Sequence, residues 1–111
     1  MRVLLRQAME LAGYGVVEAE NGRQGVRQMQ DHDINLVVTD LIMPEQEGLE
    51  TIAKLTREYP AVKIIAISGG GRIEPEAYLP AALELGATEV FSKPFDIRKF
   101  VRTVEEILVD A

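Results

Sequence analysis

A doubly wound α/β fold on a parallel sheet is the architecture this sequence predicts, and three observations predict it. Short apolar runs alternate with amphipathic stretches in the order α-β-α-β-α-β-α-β-α, which gives four strands and five helices. Such an alternation requires parallel strands, right-handed crossovers and helices on both faces of the sheet. Two of the runs, Leu36–Val38 and Ile64–Ile67, are continuously apolar, as strands buried on both sides must be. A length of 111 residues suits one domain, which buries roughly 65% of the surface of its unfolded chain.

Each element has its own signal. Val3, Leu4, Met9, Leu11 and Ala12, with Gln7 and Glu10 between them, predict an amphipathic helix stopped by Gly13. Val16–Ala19 is a brief strand, and the Asn21-Gly22 turn opens a second helix that runs to about Asp31. Asn35–Thr39 is the apolar strand that climbs to Asp40. A third helix spans Gly48–Tyr59, with Leu49, Ile52, Ala53 and Leu55 at helical spacing and Pro60 as its stop. Val62–Ile67 is another buried run, ending at Ser68 and Gly69-Gly70-Gly71. Proline disrupts a helix interior, so the fourth helix is expected to start near Pro80 and to end at Gly86. Glu89–Phe91 is a short strand, and the last helix runs from Asp96 to Val109 with Phe100, Val104, Ile107 and Leu108 facing the core. No strand precedes the first helix, although doubly wound folds of this size normally have five strands with the first one central.

Composition narrows the functions open to such a fold. Apolar residues make up 47% of the chain and charged residues 27%, the balance of an ordinary globular protein. The formal net charge is -6, which argues against a nucleic-acid binder, since that would present a basic face to phosphates. Arg98, Lys99 and Arg102 read as cations on the last helix. No apolar run approaches the ~20 residues of a membrane span, and the N-terminus has no signal-peptide pattern, so a cytoplasmic location is the default. With no cysteine there is no disulfide, thiol nucleophile or thiolate metal site.

Parallel strands end on a common edge, where open α/β sheets carry their chemistry. Asp40, Ser68 and Lys93 each stand at such an end and supply a carboxylate, a hydroxyl and an ammonium. A carboxylate can be a nucleophile towards phosphorus, and the phosphoryl oxygens then need donors such as a hydroxyl, an ammonium and backbone N–H groups. Taken singly, each has a plainer role: Asp40 as a cap or turn residue, Ser68 as turn chemistry before three glycines, Lys93 as a surface charge. Their equivalent positions at three strand ends favour function. The glycines are not a P-loop, because no Lys-Ser/Thr pair follows Gly71. His32, between Asp31 and Asp33, reads as a solvated helix-end residue rather than a phosphotransfer histidine. Tyr14 and Phe100 read as core.

The stretch Asp40-Leu41-Ile42-Met43-Pro44 with Gly48, then Ser68, then Phe91-Ser92-Lys93-Pro94-Phe95, resembles the receiver domain of bacterial two-component response regulators. So does Arg2-x-x-Leu5-Arg6-x-x-Met9-Glu10-x-x-Gly13-Tyr14 as a first helix, and the resemblance covers the whole chain. It implies a flavodoxin-like receiver fold over residues 1–111 without an output domain. Asp40 would be the phosphoacceptor, Ser68 the switch hydroxyl, Lys93 the phosphate-binding lysine and Phe91 the switch aromatic. The Lys93–Pro94 bond would be cis. The implied partner is a sensor histidine kinase or phosphotransfer protein, and the implied cofactor is Mg2+, held by the Asp40 carboxylate and the Ile42 backbone carbonyl.

Receivers also open with a strand that ends in two adjacent acidic residues, which help to hold the metal, and this sequence starts after that point. The expectation is therefore an N-terminally truncated receiver with weakened magnesium binding and weakened phosphorylation. A missing central strand would leave open edges near Val16 and Val37, predicting a rearranged sheet or an intermolecular or swapped dimer. Two other functions compete. An aspartate-nucleophile phosphatase would want a second aspartate two residues after Asp40, where Ile42 stands. A receiver fragment impaired in phosphorylation would act only as an interaction or dimerisation domain.

Overall fold

A computed structural model describes residues 2–19, 22–40, 45–68 and 75–109. Among these the elements run α1 (Arg2–Leu11), α2 (Gly22–Asp31), β1 (Leu36–Asp40), α3 (Glu45–Glu58), β2 (Lys63–Ser68), α4 (Pro75–Leu85), β3 (Glu89–Ser92) and α5 (Ile97–Val109). The three strands form one parallel sheet in the order β1-β2-β3. Register runs from Leu36 opposite Lys63 to Asp40 opposite Ile67, and from Ile65 opposite Glu89 to Ser68 opposite Ser92.

The central strand shows why its sequence is apolar without a break. Successive side chains of a strand point to opposite faces. Ile64 and Ala66 pack with Met29 of α2, Ile52 and Leu55 of α3 and Ala82 of α4. Ile65 and Ile67 pack with Met9 of α1, Phe91 of β3, and Phe100 and Val104 of α5. All four residues of Ile64–Ile67 are at most 1% exposed, so neither face of β2 tolerates a polar residue along that run. Burial of each such isoleucine contributes about 1.5–3 kcal/mol. The expected doubly wound layering holds, with α1 and α5 on one face and α2, α3 and α4 on the other.

The expected fourth strand needs correction. Val16–Ala19 joins no strand ladder among the described residues, which hold three strands rather than four. A strand exists through its ladder, and β1 bonds only to β2 there. Other contacts hold the segment. Tyr14 and Val16 pack into the α1/α5 layer. Gln28 Nε2 donates to the Glu18 carbonyl at 3.2 Å, and Arg6 Nη1 donates to Glu18 Oε2 at 2.6 Å. Those interactions with Glu18, and then the charge of Glu10, hold the Arg6 guanidinium above its ordinary pKa.

Three helix starts also differ from expectation. α3 begins at Glu45, three positions before Gly48, because Glu45-Gln46-Glu47 are good helix formers and negative charge suits a helix N-terminus. α4 begins at Pro75 and carries Pro80 inside it. Pro75 takes the first helical position, where its missing N–H costs nothing. Pro80 forfeits only the bond to the Glu76 carbonyl, one residue into the helix. The last helix begins one residue later than expected, since Asp96 caps it: Asp96 Oδ1 accepts from the Arg98 backbone N–H at 2.8 Å. Gly13 and Gly86 end α1 and α4 with φ of +98° and +128°, values that L side chains seldom adopt.

Candidate functional site

Asp40 is the last residue of β1, Ser68 the last of β2, and Lys93 directly follows Ser92, the last of β3. The strands are parallel neighbours, so the three positions share one edge of the sheet, with Ser68 in the middle. At about 4.8 Å between strands, Asp40 and Lys93 are offset by roughly 10 Å across the sheet. A lysine side chain spans much of that distance, and Lys93 is half-buried. Ile42 and Gly69-Gly70-Gly71 lie outside the described residues.

Lys93 precedes a cis peptide bond to Pro94. Phe91, 8% exposed, points into the α1/α5 layer, and its ring lies 5.3 Å from that of Phe95 and 5.3 Å from that of Phe100. The Phe95 and Phe100 rings are 5.6 Å apart, so the three aromatics form a closed triangle under the strand end. Such tilted contacts each contribute about 0.5–1.5 kcal/mol beyond burial. Beside the triangle lies a groove of about 530 Å³, lined among others by Glu89, Phe91, Phe95, Lys99 and Thr103. Lys99 and Thr103 had no part in the sequence-based site. Their signal was i, i+4 spacing on one face of α5, where Thr103 Oγ1 donates to the Lys99 carbonyl at 3.0 Å.

His32 is exposed just beyond the C-terminus of α2, on a different element from the three strand ends. Among the described residues no group of three His, Cys, Asp or Glu side chains forms an ion site. No described helix is long and apolar enough to cross a membrane.

The chain matches a family model, that of the response regulator receiver domain, over residues 1–105. The chain belongs to the response regulator receiver domain family. As members of that family, receiver domains serve two-component signalling as phosphoacceptors rather than enzymes, with a histidine kinase as the general partner and chemistry that typically depends on Mg2+. The response regulator receiver protein CpdR of Brucella abortus is 34% identical, with 100% of this chain and 90% of that protein covered. The chemotaxis protein CheY of Thermotoga maritima is 32% identical, covering 96% and 88%. In fold, the receiver domain of NtrX from Brucella abortus superposes with a TM-score of 0.88 at 20% identity, over 99% of this chain and 91% of that one.

Proposed function

We propose that this receiver accepts phosphate on Asp40 from a histidine kinase or phosphotransfer protein, with Ser68 as the switch hydroxyl and Lys93 as the phosphate-binding cation. The observation that carries this is the adjacency of three parallel strand ends bearing a carboxylate, a hydroxyl and an ammonium in that order. In the transfer, a carboxylate oxygen of Asp40 bonds to phosphorus while the donor's bond to phosphorus breaks, and the electron pair leaves with the donor. The Lys93 ammonium and the Ser68 hydroxyl neutralise and orient the new phosphoryl oxygens. The phosphoryl group adds about -1.5 to -2 charge at the strand ends.

Phe91 is the residue through which that charge reaches a partner. Its ring joins the strand leading to Lys93 to the α5 side of the groove. A rearrangement of Ser68 and Phe91 changes the face built from α4, β3 and α5, and with it the affinity for an output partner. We place the protein in the cytoplasm, where a histidine kinase would reach it.

Magnesium fits the present residues in part. A hard cation wants octahedral oxygen ligands, and this chain offers the Asp40 carboxylate and the Ile42 carbonyl, with water for the remainder. We therefore propose that these two groups by themselves hold the metal weakly. That donor set also favours a second function, an interaction domain impaired in phosphorylation.

Intact-mass spectrometry separates the two. Treatment with a small phosphodonor and Mg2+ should add one phosphoryl group to the protein and none to an Asp40→Asn variant. Phosphate found on any other residue would overturn the assignment. No uptake even at high Mg2+ concentration would leave the interaction domain as the function.

A further inference from the structure

The outer side of α5 carries an ordered row of charges. Arg98, Arg102, Glu105 and Val109 recur at intervals of four, three and four residues, the spacing that keeps side chains on one stripe of a helix. Phe100 and Val104 lie on the opposite side and are buried. All four stripe residues are exposed, Val109 by 81%. Along one flank of the stripe stand Lys99 and Glu106, also exposed and at equivalent places in successive heptads. The cations therefore occupy the first half of the helix and the anions the second.

That order does nothing for α5 itself. The helix dipole disfavours cations in the first turn, where Arg98 and Lys99 stand. Arg102 and Glu106 are four residues apart but with the cation first, the poorer order for a pair within one helix. Among the described residues none of these five charged side chains makes an ion pair, whereas Arg6 of α1 makes two.

We propose that this stripe docks a second copy of the chain, with two α5 helices antiparallel about a two-fold axis between Arg102 and Glu105. The charges select both the occupant and its direction. A parallel pair in register would set Arg98, Arg102 and Glu105 each against its own counterpart. Reversing one helix sets Arg102 against Glu105 of the other copy, and the two-fold repeats the contact. The same operation brings the two like flanks together, so Lys99 faces Glu106 of the other copy, again twice. Arg98 meets Val109 of the other copy, where its aliphatic stem covers the valine and its guanidinium stays in water. A second copy fits because the two halves of the stripe complement each other. Exposed ion pairs are individually weak and each copy has a formal charge of -6, so the dimer is concentration-dependent. The pairing needs no phosphate on Asp40, and its failure would leave the phosphoacceptor reading intact.

Charge exchange tests the geometry. Sedimentation of the unphosphorylated chain at low salt should show a monomer–dimer equilibrium. Arg102→Glu and Glu105→Arg each set like charges against one another twice, and each should weaken the dimer about tenfold or more. An equimolar mixture of the two variants should restore it, because the substituted charges then meet their opposites. Both positions are exposed, so circular dichroism of each variant should match the parent chain. A monomer at every concentration overturns the proposal, and so does a dimer that either variant leaves unchanged. A mixture no more dimeric than its two components overturns it as well, because the contact between Arg102 and Glu105 would then not be the interface.

Discussion

Gly86 and Thr56 show how closely single residues are constrained. Gly86 ends α4 at φ +128°, and a β-carbon there would run into the side chain of Thr56 on α3. Gly86→Ala should therefore destabilise the fold by about 2 kcal/mol or more, read as a lower urea midpoint. Thr56 Oγ1 is buried and has no hydrogen-bond partner among the described residues. Thr56→Val keeps the shape and removes that hydroxyl, so the midpoint should rise, by about 1 kcal/mol of stability. A fall would mean that the hydroxyl has a partner. Asp96 is simpler: losing its cap on the Arg98 N–H should cost about 1 kcal/mol in Asp96→Ala. Asp96 was legible in the sequence as the start of a helix. The Gly86–Thr56 contact was not, since the two are 30 positions apart and meet only when α3 and α4 pack.

Among the elements, α4 departs furthest from its sequence pattern. Pro80 lies inside it and is exposed. An interior proline costs a helix about 3 kcal/mol, offset here because the lost bond is in the first turns and because proline stiffens the unfolded chain. Pro80→Ala should stabilise the protein by about 1–3 kcal/mol in urea unfolding. No change would mean that the helix already accommodates the ring without strain. The segment over residues 14–19 departs for the opposite reason. Its β-branched residues suit a strand, but a local preference cannot supply a hydrogen-bonded neighbour. Arg6 ties α1 to this segment through an exposed ion pair with Glu18, and Arg6→Ala should leave the melting temperature essentially unchanged. The raised pKa of Arg6 contributes stability that is lost only as pH rises through that value, so acid and neutral unfolding curves should not report it.

At the scale of the molecule, net charge is the term that acts everywhere. The chain carries a formal charge of -6, and the self-repulsion opposes the compact state. Raising salt from ~0.01 M to ~1 M shortens the Debye length from about 30 Å to about 3 Å, so the melting temperature should rise with salt. A fall with salt would show that attractive ion pairs outweigh the net repulsion.

The sequence by itself determined the layered α/β architecture, the parallel sense of the strands and the residue types at their ends, because periodicity and short motifs are local properties of a chain. Asp40, Ser68 and Lys93 were recognisable as a set for the same reason. Only the tertiary structure decided the strand count among the described residues and the aromatic triangle beneath Lys93. Each depends on which element lies beside which, and hydrogen-bond ladders and packed layers are made between segments that the sequence keeps far apart.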